Sequence, residues 1–232
     1  LHSDRASAVP AAAQIAADAQ RVFDVVREGG VALIHLDVAY AMVARTPEAV
    51  RRVYAAKGRN FAKPMGLVGG WPAHEALHRL DAAKRAMINA ITVEYDWPLS
   101  VVAPYRADHP YLAGLDPFVL QQSTTAGTLN LLLNAGALRT CLAQLCWTQA
   151  VAMVGTSANR SLTGSRFSVS HLDASIVEAC DLVINYGAAR YENAEGRSST
   201  IIDFGNMRLL RLGVCGDAIL ELLRAQFGVT LV

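Results

Sequence analysis

Three clusters of polar side chains have types and spacings that could do chemistry. The first is Lys57-Gly58-Arg59 followed by Lys63, three cations within seven residues. It falls where a helix hands over to the apolar residues Met65, Leu67 and Val68. Fixed cations at such a junction suit an anion site; the alternative is a solvated helix end whose cations answer the helix dipole. The second is Thr156-Ser157-Ala158-Asn159, directly after the apolar run VAMVG. Its small residues let backbone N–H groups converge on an anion, and Ser157 and Asn159 alternate so that both can face one way. A plain Asx or Ser turn is the other reading. The third is His74-Glu75-Ala76-Leu77-His78, which fits HExxH. On a helix the two His could hold Zn²⁺ while the Glu polarises a metal-bound water. A third ligand is needed, however, and position 84, where the extended pattern has another His, is Lys. Glu94 is the only carboxylate placed to help close downstream, so the motif reads as a chance match on a solvated amphipathic helix. Arg211, in LLRLG, is a charge on an apolar strand that either snorkels to solvent or reaches a ligand anion. Ser199-Thr200 could add hydroxyls, and His35 reads as a hydrogen-bonded core residue.

These groups need a scaffold, and the chain supplies one. With 232 residues, 53% of them hydrophobic and 18% charged, it can bury a large core. A formal net charge of +1 demands no nucleic acid. No apolar run reaches bilayer length, so no membrane partner is expected. The Ala-rich start lacks a signal peptide's apolar core. Cys141, Cys146, Cys180 and Cys215 form no C-x-x-C pair and read as reduced core residues, with the cytoplasm as the default compartment. Helical periodicity covers 10–28. VALIHL (31–36) reads as a buried strand, and the next element is a helix capped by Thr46, with Pro47 in its first turn and Gly58 at its end. Short strands follow near 65–68 and 97–104, with helices from Pro72 and over about 81–92 between them. FVLQQ and TLNLLL look like two strands joined around Ala126-Gly127. Helices near 135–146 and 171–180 alternate with strands at 151–155 and 182–185. STIIDF and LLRL form a hairpin turning at Gly205-Asn206, before a last helix over 216–227. This mixture of βα alternation and hairpins predicts one mixed α/β sheet flanked by helices.

Taken in order, the pieces resemble the YrdC-like family of threonylcarbamoyl-AMP synthases, which serve tRNA modification. That family carries a stretch like YPTDTVYGL after its first strand, and the corresponding residues are Ile34-His35-Leu36-Asp37-Val38-Ala39-Tyr40-Ala41-Met42. Its K-x-R followed by KP is matched by Lys57-Gly58-Arg59 and Lys63-Pro64. A WPGPLT-like strand appears, contracted, as Trp97-Pro98-Leu99-Ser100. TSAN-x-SG is matched by Thr156-Ser157-Ala158-Asn159-Arg160-Ser161, with Leu162-Thr163 placed before Gly164. STVVD and LRPG are matched by Ser199-Thr200-Ile201-Ile202-Asp203 and Leu210-Arg211-Leu212-Gly213.

The resemblance implies a twisted mixed sheet around a positively charged cavity, as a single domain over 10–228 preceded by a flexible segment, 1–9. It also implies a nucleotidyltransferase that takes ATP with Mg²⁺, bicarbonate and L-threonine to a carbamoyl adenylate and pyrophosphate. Lys57 and Arg59 would then hold the phosphates and the carboxylate-derived oxygens. Ser157 and Asn159 would bond the adenylate, and Arg211 the phosphate tail. Leu36, Val38, Tyr40, Lys63, Thr156 and Ser199 complete the substrate-binding set, and no protein ligand to a metal is assigned. Such chemistry rests on fixed charges and positioning, not on a nucleophile. The departures fall on one side of this site. The family's two Thr hydroxyls are replaced by Leu36 and Val38, and where it has VR this chain reads Leu131-Leu132-Leu133-Asn134. The phosphate side persists while the amino-acid pocket is rewritten, so the expected acceptor is an amino-acid-like substrate other than threonine. A non-catalytic nucleotide- or RNA-binding module of the same fold is the alternative, with tRNA or double-stranded RNA as its partner. A zinc metalloprotease is the remote one.

Overall fold

Ile15, Ala19, Val22, Phe23 and Val26 line one face of the first helix, α1 (Ala12–Arg27), and bury it against the sheet. The computed structural model describes residues 10–58, 60–61, 63–160 and 163–231. The N-terminal segment 1–9 lies outside them.

The chain turns at Asp37-Val38 between β1 (Ala32–Leu36) and β2 (Ala39–Ala44), which pair antiparallel. The second strand is not expected from sequence. All of its residues are buried, so Ala39–Ala44 carries none of the polar alternation that marks a half-exposed strand. Helix α2 (Pro47–Ala56) begins as read: Thr46 Oγ1 accepts from the Ala49 amide at 3.3 Å, and Gly58 follows in the left-handed region, φ 54°. Next come β3 (Gly66–Leu67), α3 (Trp71–Leu77) and α4 (Ala82–Asn89), which runs on as a π-helical turn over Ala90–Glu94. After β4 (Leu99–Pro104), FVLQ belongs to a helix, α5 (Pro117–Gln121), and not to the expected strand. The reason is local: Asp116 Oδ1 caps the Phe118 amide at 2.8 Å, and Pro117 sits where its missing N–H costs nothing. The order then runs β5 (Thr124–Thr125), β6 (Thr128–Leu133), α6 (Ala137–Thr148), β7 (Val154–Ser157) and α7 (Ala174–Glu178). It ends with β8 (Leu182–Val183), the predicted hairpin of β9 (Thr200–Asp203) and β10 (Arg208–Arg211), and α8 (Gly216–Phe227).

The ten strands among the described residues join one mixed sheet in the order β10-β9-β4-β6-β3-β7-β2-β1-β8, with β5 paired to β6 off this path. Pairs β1–β8, β3–β6 and β4–β9 are parallel. Strand alternation divides the core between two faces. Leu33, Met42, Leu67, Val101 and Leu131 pack with α2 to α5 and α8, whereas Ile34, Leu36, Val43 and Val68 pack with α1 and α6. Register then places Arg211, Ile201, Ser100 and Leu132 in one row across β10, β9, β4 and β6. No helix among the described residues is long and apolar enough to cross a membrane. The four cysteines are free thiols, with Cys146 buried.

Candidate functional site: an amphipathic cavity with two arginines

One face of the sheet carries a cavity of about 230 Å³. Its apolar lining comes from Ile34, Leu36, Val38, Ala41, Val68 and Leu132, and its polar lining from Ser100, Asn130, Thr156, Ser157, Ser199 and Arg211, with Ser100 beside Leu132 and Ser157 beside Ala41. Arg139 also lines it, and no aspartate or glutamate does among the described residues.

The polar lining is built by a relay between neighbouring strands. Arg211 donates to the Ser199 carbonyl through Nε at 3.1 Å and Nη2 at 2.7 Å, and Nη2 lies 3.3 Å from Ser199 Oγ. Ser199 Oγ in turn hydrogen-bonds Ser100 Oγ at 2.9 Å. Gly213 makes this geometry possible: a Cβ there would stand 2.2 Å from the Ser198 carbonyl oxygen. Its amide donates to Thr200 Oγ1 at 3.0 Å, which closes the segment against Ser198-Ser199.

Thr156 and Ser157 are not in a loop, as read from sequence, but form the end of β7, paired with Met42 and Ala41. Ser157 Oγ donates to Asn159 Oδ1 at 2.5 Å, so the two side chains do converge, and the Asn159 amide donates to the Arg160 carbonyl at 2.7 Å. Lys57, expected on the phosphates, is buried behind this segment. Its ammonium donates to the Ser157 carbonyl and, at 2.6 Å, to the Asn159 carbonyl. The end of α2 abuts the end of β7, which brings the Lys57 ammonium to these main-chain oxygens. Lys63 is exposed, while its own carbonyl accepts from Tyr54 OH at 2.7 Å. Arg59 lies outside the described residues. Tyr40 is buried beside the cavity, its hydroxyl 2.7 Å from both Asn185 Oδ1 and the Gly187 carbonyl. His35 is half-buried, 3.4 Å from the Ala188 carbonyl through Nε2, and burial holds its pKa below the usual histidine value.

Two cavity residues escape the sequence reading. Asn130 Oδ1 is buried without a hydrogen-bond partner among the described residues. Arg139 is buried on α6, its Nη2 donating to the Leu67 carbonyl at 3.2 Å and Nη1 to that of Gly69 at 3.5 Å. Burial pulls its pKa down to about 10, which leaves it cationic at neutral pH. Both had a signal. Asn130 interrupts an apolar strand, and Arg139 shares its helical stripe with Leu142, Ala143 and Cys146 at spacings of three, four and seven.

The two HExxH histidines pack against each other. His74 and His78 are fully buried, not solvated, and their Nδ1 atoms lie 2.9 Å apart, so each ring occupies the other's nitrogen. His78 Nε2 faces the Leu129 carbonyl at 3.2 Å, and Glu75 is exposed. No group of three or more His, Cys, Asp or Glu among the described residues could hold a metal. Burial lowers the pKa of His74 to about 4 and that of His78 to about 3.

Comparison with known proteins agrees with this architecture. A structure from Streptococcus mutans UA159, the hypothetical protein smu.1377c, superposes with a TM-score of 0.76 at 22% identity, over 91% of this chain and 93% of that one. Escherichia coli YciO gives 0.57 at 17% identity, over 90% and 93%. Sua5 of P. abyssi, in a structure complexed with L-threonine, gives 0.64 at 22% identity; 89% of this chain is covered, but only 56% of that longer one. No curated protein sequence matches the chain. The family model Sua5_yciO_yrdC, described as telomere recombination, matches residues 24–213. The chain is therefore a member of the Sua5/YciO/YrdC family.

Proposed function

We propose that this protein forms a carbamoyl adenylate from ATP, bicarbonate and a small amine-bearing acid other than threonine. The observation that carries the reading is a cavity on the family's fold lined by two arginines and several serine hydroxyls together with apolar side chains, with no carboxylate among the described residues. The substrate amine bonds to the carbon of bicarbonate, and water leaves. A carbamate oxygen then bonds to the α-phosphorus of ATP as the bond to pyrophosphate breaks. Arg211, with the hydroxyls of Ser199 and Ser100, stabilises the charge that develops on the phosphates. Ser157 presents its oxygen lone pairs to the nucleoside. Lys57 is a positioning residue that fixes the Ser157–Asn159 main chain. The cavity offers no carboxylate to Mg²⁺, so the ion would enter on the nucleotide's own phosphates. Leu36 and Val38 belong to the apolar lining, which supports an acceptor without a side-chain hydroxyl.

The test is calorimetric titration with ATP alongside pyrophosphate release from ATP and bicarbonate, screened over all amino acids and small amines. Bicarbonate-dependent release with at least one amine is expected. ATP binding without release for any amine would instead make the protein a nucleotide-binding module.

A further inference from the structure

Arg139 is a buried guanidinium whose hydrogen bonds leave it under-used. Two long contacts to the carbonyls of Leu67 and Gly69 engage two of its five N–H donors, and no carboxylate pairs with it among the described residues. A buried cation held only by neutral carbonyls is a poor structural element, because desolvation is repaid only by an opposite charge. The group lines the cavity, so an anion entering there would supply that charge. A planar fork of donors matches a carboxylate through two parallel hydrogen bonds. The neighbouring wall sets the rest of the ligand. Ile34, Leu36, Val38, Val68 and Leu132 offer apolar surface to whatever is attached to that carboxylate. The volume, about 230 Å³, is below the roughly 300–1,000 Å³ of pockets that take drug-sized ligands. The apolar part beside Arg139 therefore takes a small acid, and Arg211, Ser199 and Ser100 are left to the nucleotide's phosphates.

We infer that Arg139 anchors the carboxylate of the acceptor, and that the acceptor is a small α-amino acid with an aliphatic side chain of valine's size and shape. The inference rests on the carbamoyl-adenylate reading for the role of the amine. It also accounts for the missing strand arginine. The stretch Leu131-Leu132-Leu133-Asn134 lies where the family resemblance expects an arginine, and Arg139 reaches the same cavity from α6.

Valine and threonine are isosteric, which makes them the decisive pair. A hydrophobic pocket rejects an added hydroxyl only by about 100-fold, so valine is expected to outperform threonine in kcat/KM by about 10–100-fold. Val38→Thr, which places a hydroxyl on the cavity's apolar lining, is expected to narrow or invert that ratio. Valinol keeps the amine and side chain but lacks the carboxylate, and should bind wild-type protein at least about 30-fold more weakly than valine, through loss of the charge-assisted pair with Arg139. In Arg139→Met the difference between valine and valinol should vanish while the KM for ATP stays within a few-fold. Binding of valine and valinol is also read by calorimetry without ATP, so the anchor is tested even if turnover is absent. Threonine preferred over valine, with Val38→Thr without effect, would overturn the inference and leave the carbamoyl-adenylate reading intact. So would equal binding of valine and valinol to wild-type protein. Arg139-dependent valine binding with no pyrophosphate release from any amine would uphold the anchor and sink the catalytic reading. If Arg139→Met fails to fold, the wild-type comparison of valine with valinol decides.

Discussion

Lys57 donates to the main-chain oxygen of Asn159 at 2.6 Å, from the end of α2 to the residue just past the end of β7. With the parallel bond to Ser157, a buried ammonium straps together the segment that lines the cavity. Charge-assisted hydrogen bonds of this kind contribute about 1.5–3 kcal/mol. Lys57→Met is expected to cost about 2 kcal/mol of stability and to speed amide hydrogen exchange over 156–160. ATP affinity should fall with it. If ATP affinity drops while exchange and stability stay unchanged, Lys57 contacts the phosphate directly and the strap account is wrong.

Gly213 sets the position of Ser198 and Ser199. A methyl group there meets the Ser198 carbonyl oxygen at 2.2 Å and the Ser199 carbonyl carbon at 2.3 Å, both main-chain atoms that cannot swing aside. Gly213→Ala is therefore expected to destabilise by about 3 kcal/mol, the upper end for overpacking. It should also raise the KM for ATP, because Arg211 and Ser199 move together. Chemical denaturation and steady-state kinetics measure the two effects.

The buried pair His74–His78 makes stability depend on pH. Burial holds their folded pKa values at about 4 and about 3, against about 6.5 in the unfolded chain. As pH falls below about 6.5 the unfolded state takes up two protons that the folded state refuses, so stability drops. The loss grows towards pH 4 and amounts to about 4 kcal/mol at pH 5 for both groups. Urea midpoints between pH 7 and 5 should fall accordingly. In the double variant His74→Gln, His78→Gln the dependence should flatten even though the variant is less stable at pH 7. An unchanged slope would mean that other groups carry the acid sensitivity.

Much of the fold was legible where local signals and tertiary packing agree. The last helix, the β9–β10 hairpin and the Thr46 and Gly58 ends of α2 all carry caps or turn residues that only one structure satisfies. Ala39–Ala44 was not legible, because a strand buried on both faces loses its alternation. FVLQ was misread by its apolar run, although Asp116-Pro117 held the helix signal. At the site, TSAN and Arg211 were visible as motifs. The partner of Lys57 was not, since it lies a hundred residues away along the chain. Arg139 had the period of a core residue and the charge of a ligand, a conflict that marks functional positions.

The most direct test of the central claim is mass spectrometry of the product formed from ATP, isotopically labelled bicarbonate and the aliphatic amino acids. The account predicts an adenylate that carries one labelled carbon and the amino acid, with one pyrophosphate released for each. Bound ATP recovered intact from every mixture, with no labelled adenylate, would contradict it.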